Sequence, residues 1–269
     1  MIILISALFA LFLAFILGTA LGFFREFFAV PEDPLTGRIR ALLPGANCGA
    51  CGFPGCDNYA SAVSAGNARA NACTVGGPSV VGQIAAITGV TSGEIIESVA
   101  VLACQGSSMH APLKGIYTGI QTCRGAKIAG GTKLCSWGCL GFGDCVKACQ
   151  FGAISMSEAN LPKINYAKCG GCMLCSAECP QGLLKKIERN QKGVMALCSN
   201  HNPIRQMVAK TCKIACIKCG LCVKNCPKQC ITLVDGLPSA DLSKCDSCGT
   251  CAEKCPTKVL KIIERNIIP

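Results

Sequence analysis

Cysteine constrains this chain most, because it accounts for 25 of the 269 residues. The clearest run has the form C-x2-C-x2-C-x3-C-P and extends from Cys216 to Pro227, and an identical run extends from Cys245 to Pro256. This spacing is typical of chains that bind two [4Fe-4S] clusters, whereas zinc sites usually consist of two separated C-x2-C pairs. The two runs therefore favour iron–sulfur clusters over zinc.

The same spacing predicts which cysteines share a cluster. In such sequences three cysteines of one run bind one cluster, and the fourth binds the cluster of the other run. We expect this fourth cysteine to start the helix that follows. The predicted ligands of the two clusters are Cys216, Cys219, Cys222 and Cys255 for one, and Cys245, Cys248, Cys251 and Cys226 for the other.

An internal repeat shows that this unit occurs twice. The cysteines at 135, 139, 145 and 149 recur 77 residues later, and those at 169, 172, 175 and 179 recur 76 residues later. The tetrapeptide Ile-Glu-Arg-Asn at 187–190 recurs at 263–266. We conclude that the C-terminal half contains two copies of one module.

The first copy lacks one ligand, because Phe142 stands where the repeat would place a counterpart of Cys219. One of its clusters is complete, with the predicted ligands Cys169, Cys172, Cys175 and Cys149. The other has only Cys139, Cys145 and Cys179. Cys135 is the nearest substitute and our preferred fourth ligand. A more distant cysteine and a three-iron cluster with an open corner are the alternatives.

A separate cysteine group lies nearer the N-terminus, with the spacing C-x2-C-x4-C-x16-C. Small residues between its thiols allow the backbone to approach a bulky cluster. We therefore predict another [4Fe-4S] cluster here rather than zinc. Its ligands are Cys48, Cys51, Cys56 and Cys73.

Five cysteines then remain, at 104, 123, 198, 212 and 230. They can be buried thiols that pack as small apolar side chains. Alternatively, four of them can bind a sixth cluster, which leaves Cys230 free. The ligands of this sixth site would be Cys104, Cys123, Cys198 and Cys212.

The N-terminal segment Met1–Phe24 contains no charged side chain. Its length suffices for a membrane-spanning helix, and it lacks the basic n-region of a cleaved signal peptide. Basic residues follow only on its C-terminal side, beginning with Arg25, so the positive-inside rule places the rest of the chain in the cytoplasm. We predict a single-pass anchor in the cell (inner) membrane. A reducing cytoplasm also disfavours disulfides.

The formal charge of +11 does not indicate a nucleic-acid partner. A four-thiolate cube carries about −2, so five clusters would reduce the net charge to roughly +1. The chain has only two histidines and no glycine-rich loop in a strand–helix context that would bind a nucleotide phosphate. We therefore predict no catalytic residues and no cofactor besides the clusters.

These features predict an α+β protein with a transmembrane helix, a small [4Fe-4S] domain and two tandem two-cluster ferredoxin modules. Residues 78–104 are apolar enough for one or two short helices. The predicted units are a helix at 1–25, a connector at 26–44, an N-terminal cluster domain at 45–75, a linking region at 76–134, and modules at 135–192 and 193–269.

The order of these parts resembles the B component of the Rnf complex, the ion-translocating ferredoxin:NAD oxidoreductase of bacterial membranes. The resemblance covers essentially the whole chain. Its most specific parts are the N-terminal apolar helix, Asn47–Gly52 (NCGACG) and Cys135–Cys145 (CSWGCLGFGDC). Short members of the family carry one ferredoxin module, whereas this chain carries two, so the short members do not give its cluster number.

The resemblance implies an electron-transfer subunit that exchanges electrons with soluble ferredoxin and passes them toward membrane subunits. Its expected partners include multi-span, flavin-bearing and nicotinamide-binding subunits. A ferredoxin-like subunit of a hydrogenase or dehydrogenase is the alternative, and a redox sensor would not need so many chained clusters. Basic residues follow each module and can either steer an acidic ferredoxin or form a solvated face. They are Lys185, Lys186 and Arg189, and Lys258, Lys261 and Arg265.

Overall fold

The computed structural model describes residues 2–28, 33–90 and 96–263. The second Glu-Arg-Asn of the repeat, at 264–266, lies outside the described residues, and so does the predicted basic residue Arg265. The first helix, α1 (Ile2–Phe27), is predominantly apolar and has no charged residue before Arg25. Its large side chains from Ile3 to Phe27 are exposed, and its length and composition are sufficient to cross a membrane. The predicted N-terminal helix is confirmed as such a candidate.

Three helices follow and enclose the first cysteine group: α2 (Pro34–Leu42), α3 (Cys56–Ser64) and α4 (Gly77–Thr88). Asp33 caps α2, because its side chain accepts a hydrogen bond from the backbone N–H of Leu35 at 3.0 Å. The helices share a small apolar core around Ile39, Tyr59 and Ile84, which are almost completely buried. This core is separate from those of the two modules.

From residue 96 onward, the described chain consists of short helices and short strands. The helices are α5 (Cys123–Ile128), α6 (Asp144–Lys147), α7 (Leu174–Glu178), α8 (Arg205–Thr211), α9 (Leu221–Lys224) and α10 (Thr250–Glu253). The strands are β1 (Ser98–Leu102), β2 (Ile154–Met156), β3 (Pro162–Ile164), β4 (Leu184–Glu188), β5 (Gly193–Ala196), β6 (Ile231–Val234), β7 (Leu237–Ala240) and β8 (Leu260–Ile263). The mixed content agrees with the predicted α+β class.

The strands form four antiparallel pairs, which repeat between the two halves. β1 pairs with β4 and β5 with β8, while β2–β3 and β6–β7 are hairpins. Among its described residues, the segment expected to be helical from 78 to 104 therefore contains one helix, α4, and then strand β1. Because β1 belongs to the first module's sheet, residues 98–102 of the predicted linking region are part of that module's structure.

The pairing register reveals a second correspondence between the halves. Leu102 pairs with Leu184, and Ala196 pairs with Leu260. Leu184 and Leu260 are 76 residues apart and equivalent in the repeat, so β1 and β5 are also equivalent, with an offset of 94 residues. Two positions beyond these partners, Cys104 is equivalent to Cys198.

Candidate metal centres

The four cysteines of the N-terminal group come together. Cys48, Cys51, Cys56 and Cys73 line one cavity between the loop at 45–55 and the start of α3. Asn47 positions this loop, because its side-chain oxygen accepts from the backbone N–H of Cys56 at 2.8 Å. Tyr59 positions the other side, because its buried hydroxyl lies 2.8 Å from the carbonyl oxygen of Arg69, near Cys73. The predicted ligand set is thus spatially compact.

The second module brings together both predicted sets of cysteines. Burial raises the pKa of the Cys216 thiol to about 11, and the adjacent Cys198, Cys222 and Cys255 contribute to this rise. Cys219 is a neighbour of Cys222. The other set lines a single cavity and consists of Cys226, Cys245, Cys248 and Cys251.

The short helices carry the third cysteine of each run, not the fourth. Cys222 lies in α9 and Cys251 in α10, whereas Cys226 and Cys255 follow the ends of these helices. The expectation that the fourth cysteine starts a helix was therefore wrong. The chain turns after each helix, and this turn directs the fourth cysteine to the partner run.

Cys230 is not isolated from these groups. It lines the same cavity as Cys226, and the two sulfur atoms are 3.5 Å apart. Its counterpart in the first module, 77 residues earlier, is Ala153, which is also buried. The equivalent site therefore needs no thiol at this position.

The complete set of the first module is also assembled. Burial raises the pKa of the Cys175 thiol to about 12, and the neighbouring thiols of Cys172, Cys169, Cys145 and Cys149 contribute. The structure thus places together the four predicted ligands of this set. These are Cys149, Cys169, Cys172 and Cys175.

The incomplete set gains a neighbour that the sequence did not indicate. Cys139, Cys145 and Cys179 line one cavity with Cys123, whereas Cys135 does not line it. Cys123 begins α5, and its backbone N–H donates to the carboxylate of Asp144 at 2.8 Å. The structure therefore places Cys123 where the sequence predicted Cys135.

An aromatic contact lies at the position of the missing cysteine. The ring of Phe142, which replaces the missing cysteine, packs against Tyr117 with 5.5 Å between ring centroids. Tyr117 belongs to the segment between Cys104 and Cys135, the same segment that carries Cys123. This contact connects Phe142 to the segment on which Cys123 lies.

Cys135 lies in another group. It lines a cavity together with Cys104, Cys198 and Cys212. Of the four residues predicted for a sixth site, the structure brings together three, and Cys135 takes the place of Cys123. The two cysteines have exchanged the positions that the sequence suggested.

Burial determines the protonation of these thiols when no metal is bound. It raises the pKa of the Cys139 thiol to about 12, with a further contribution from Cys104. It also raises the pKa of the thiols of Cys135, Cys198 and Cys212. Because metals bind thiolates, iron binding at these groups must displace protons, and a metal's positive charge is needed to hold four thiolates together.

The number of cysteines around each cavity bears on the kind of metal centre. Four or more cysteines line each of four cavities. A [4Fe-4S] cluster binds four thiolates, one through each iron atom. In the described part of the chain, no three His, Cys, Asp or Glu side chains converge closely enough to hold a single metal ion. The cavities thus supply the number and kind of ligands that [4Fe-4S] clusters require.

Adjacent groups are close to one another and follow a linear order. Cys48 of the N-terminal group lies near Cys172, and its proximity adds to the rise that burial causes in the pKa of that thiol. Within the first module, Cys145 neighbours Cys175. The remaining links in this order join the first module to the cavity of Cys104 and that cavity to the second module. They are the contacts of Cys139 with Cys104 and of Cys216 with Cys198.

Three family models match the chain, and all describe iron–sulfur proteins. An Fe-S cluster family matches residues 43–75, a 4Fe-4S binding domain matches 162–185, and a 4Fe-4S dicluster domain matches 215–259. These matches cover the N-terminal group and parts of both modules. They support [4Fe-4S] clusters as the cofactors.

Several relatives are similar over most of the chain, and each is the B component of an ion-translocating complex. That of the Na(+)-translocating ferredoxin:NAD(+) oxidoreductase complex of Acetobacterium woodii is 41% identical, over 86% of this chain and 69% of the relative. That of the ion-translocating oxidoreductase complex of Methanosarcina acetivorans is 38% identical, over 87% of this chain and 88% of the relative. That of the proton-translocating ferredoxin:NAD(+) oxidoreductase complex of Clostridium ljungdahlii is 38% identical, over 86% of this chain and 81% of the relative. The chain therefore belongs to the B-component family of the ion-translocating ferredoxin:NAD(+) oxidoreductase complexes and is an iron–sulfur electron-transfer subunit.

Proposed function

We propose that this chain relays electrons between soluble ferredoxin and the membrane subunits of its complex through [4Fe-4S] clusters. Its proposed partners in the membrane are flavin-bearing, multi-span and nicotinamide-binding subunits. The observation that carries the proposal is the linear order of thiol groups from the N-terminal group, which follows α1, to the second module. Such an order provides a route along the whole described part of the chain after the membrane helix.

Five clusters form the core of this proposal, each with four thiolate ligands. The first module includes β1, so we propose that it extends from residue 96 to 192, and the second from 193 to 269. Each module then holds two clusters, which exchange their fourth ligands. The proposed sets are Cys48, Cys51, Cys56 and Cys73; Cys149, Cys169, Cys172 and Cys175; Cys123, Cys139, Cys145 and Cys179; Cys216, Cys219, Cys222 and Cys255; and Cys226, Cys245, Cys248 and Cys251.

The chemistry of these sites suits electron transfer rather than substrate conversion. A cube with four thiolate ligands has no open coordination position for a substrate. Hydrogen bonds to sulfur, burial and charge then adjust its reduction potential. Many of the ligand sulfurs accept backbone N–H groups, as Cys149 does from Ala153 at 3.3 Å.

Membrane attachment gives the relay its orientation. Helix α1 is the candidate anchor; its first basic residue, Arg25, lies in its last turn, and further basic residues follow the helix. We propose that all clusters lie on the cytoplasmic side, as the positive-inside rule indicates. Soluble ferredoxin and NAD are cytoplasmic, so this side gives the clusters access to both.

The test is anaerobic reduction of the purified full-length chain by reduced ferredoxin, followed by visible absorbance and EPR. We expect reduced ferredoxin to reduce the clusters, and we expect no NAD reduction by the isolated chain. In the intact complex, the same electrons should reach NAD. A chain that contains iron and sulfide but stays oxidised in the presence of reduced ferredoxin would contradict the proposed partner. Zinc without sulfide would contradict the electron-transfer proposal as a whole.

A further inference from the structure

Four cysteines between the two modules occupy positions that are equivalent in pairs. Cys104 and Cys198 are related by the 94-residue offset of β1 and β5, and Cys135 and Cys212 by the 77-residue offset of the cysteine runs. All four line one cavity. Each module therefore contributes the same two positions to a single site.

The local geometry of the two halves is also equivalent. The backbone N–H of Cys139 donates to Cys104 Sγ at 3.5 Å, and the N–H of Cys216 donates to Cys198 Sγ at 3.4 Å. The residues before Cys104 and Cys198 also form equivalent hydrogen bonds. The backbone N–H of Ala103 donates to the carbonyl oxygen of Leu183 at 2.7 Å, and that of Leu197 donates to the carbonyl oxygen of Val259 at 2.9 Å. This repetition indicates a site with approximate twofold symmetry.

The surroundings of the cavity fit a sulfur-bound cluster. Asn200 is only 2% exposed, and its Nδ2 lies 3.6 Å from Cys135 Sγ, as expected for an N–H donor to a ligand sulfur. A Cβ added at Gly106 would lie 3.6 Å from both Cys104 Sγ and Cys212 Sγ. A side chain at 106 would therefore enter the space between the thiols.

Hydrogen bonds across the junction hold the two halves of the site together. Ser199 Oγ donates to the carbonyl oxygen of Ala103 at 3.0 Å. The backbone N–H of Lys213 donates to the carbonyl oxygen of His110 at 3.0 Å. Ser199, Ala103 and Lys213 are each the direct sequence neighbour of one of the four cysteines. The relative positions of the four sulfurs are thereby fixed by both modules.

We propose that Cys104, Cys135, Cys198 and Cys212 bind a sixth [4Fe-4S] cluster that connects the two modules electronically. The inference rests on the proposed function and deepens it. Cys104 neighbours Cys139 of one module, and Cys198 neighbours Cys216 of the other, so this cluster lies between theirs. One electron leaves a reduced cluster of the donor module, reduces the sixth cluster, and then reduces a cluster of the acceptor module. Each donor cluster is oxidised by one electron as its acceptor is reduced.

Iron and acid-labile sulfide per chain test this assignment. We expect about 24 iron atoms in the anaerobically purified full-length chain; in Cys198→Ala we expect about 23 if a three-iron cluster survives and about 20 if the cluster is lost. Cys230→Ala is the matched control and should retain about 24, because the first module has an alanine, Ala153, at the position equivalent to Cys230 in the cavity of the Cys226 set. About 20 iron atoms in the unaltered chain would overturn the sixth cluster and leave the five-cluster relay intact. Zinc without sulfide would overturn both.

Asn200→Leu provides a second test that does not depend on losing a ligand. This variant should keep its iron, and one component of an EPR-monitored redox titration should move to lower potential, because an N–H donor to sulfur is removed. If every component keeps its potential, Asn200 does not contact a cluster and the site is wrong. If Cys198→Ala loses far more than four iron atoms, more than one cluster is lost and its iron content does not test the sixth site. The redox titration of Asn200→Leu then decides whether the sixth cluster exists.

Discussion

At the scale of single residues, Gly171 shows how closely a cluster loop packs on its module. Its φ is +67°, and an added Cβ would lie 2.4 Å from the backbone oxygen of Ser98 in β1. The equivalent residue of the second module is Ser247, which has a side chain at φ 62°. The conformation alone therefore does not demand glycine, but the close approach of β1 does.

We expect Gly171→Ala to destabilise the first module by about 2 kcal/mol or more, because the loop must move away from β1. Thermal unfolding of the cluster-loaded chain, monitored at the cluster absorbance, measures the loss. Gly152→Ala is the matched control, since Gly152 has φ +58° but no atom within 4 Å of an added Cβ. Equal losses in both variants would show that backbone strain, not the contact with Ser98, is responsible.

A buried lysine lies next to two of the proposed clusters. Lys133 is only 3% exposed, and its Nζ donates to the carbonyl oxygen of Gly106 at 2.7 Å. Its charge also acts on the nearby thiol of Cys139. A cation at this position stabilises the more negative, reduced form of a cluster.

We expect Lys133→Met to lower the potential of at least one cluster by roughly 50–100 mV, which corresponds to roughly 1–2 kcal/mol for one electron. An EPR-monitored redox titration measures this shift. Lys114→Met is the control, because Lys114 is exposed and its Nζ donates to the carbonyl oxygen of Gly130 at 2.6 Å. Unchanged potentials in Lys133→Met, with iron content retained, would contradict the role of its charge.

At the scale of structural elements, an insertion explains why the two modules differ. Thirty residues separate Cys104 from Cys135, whereas thirteen separate the equivalent Cys198 and Cys212. The longer segment contains α5 and places Cys123 beside Cys139, Cys145 and Cys179. The insertion thus brings a thiol to the cavity of the set in which Phe142 stands in place of a cysteine.

This exchange can be tested by moving the ligand back. We expect Cys123→Ala to lower the iron content, by one atom if a three-iron cluster survives and by about four if the cluster is lost. Adding Phe142→Cys should restore it, because the second module uses Cys219 at that position. Iron analysis and EPR of both variants measure the effect. Unchanged iron and EPR spectra in Cys123→Ala would mean that another group completes this cluster.

The sequence predicted the elements that depend on short-range spacing. The runs beginning at Cys169, Cys216 and Cys245 could be grouped because their spacing and repeat are explicit. The exchange of Cys123 and Cys135 could not be predicted, because it depends on how an insertion folds back across the module. The repeat did contain a signal for this exchange. Cys135 and Cys212 are counterparts, but the predicted sixth site included Cys212 and not Cys135.

The equivalence of Cys104 and Cys198 was hidden for a different reason. The segments around them, Leu102–Gly106 and Ala196–Asn200, share little besides the cysteine. Only the strand register of β1 with β4 and of β5 with β8 aligns them. Short strands that pair with distant segments are specified by tertiary packing, so their partners are not visible in local sequence.

At the scale of the whole molecule, the thiol groups form a line with two distinct ends. The N-terminal group lies nearest in sequence to the membrane helix and contacts the first module through Val75, whose Cα would lie 3.4 Å from a Cβ at Gly170. The second module lies at the other end. In a relay of this order, the end remote from the anchor is the more accessible to a soluble protein, so we expect ferredoxin to meet the second module.

The exposed lysines of the second module test this expectation. Lys258 and Lys261 are exposed at its C-terminal end, whereas Lys185 and Lys186 occupy exposed positions on β4 of the first module. Arg189 does not belong to a free basic surface, because it donates to the carbonyl oxygens of Tyr166 and Cys169 at 2.7 and 2.8 Å. The lysine pairs therefore provide a matched comparison.

We expect the double variant Lys258→Glu and Lys261→Glu to slow oxidation of reduced ferredoxin by about tenfold or more at low salt, and much less at high salt. Opposite charges accelerate the encounter of two proteins, and salt screens this attraction within about 10 Å at 0.1 M. Stopped-flow kinetics over a range of ionic strengths measure the effect. Lys185→Glu with Lys186→Glu makes the same charge change and should leave the rate nearly unaltered. A larger effect in this control would place the ferredoxin contact on the first module, so that electrons would enter the line of clusters between its ends.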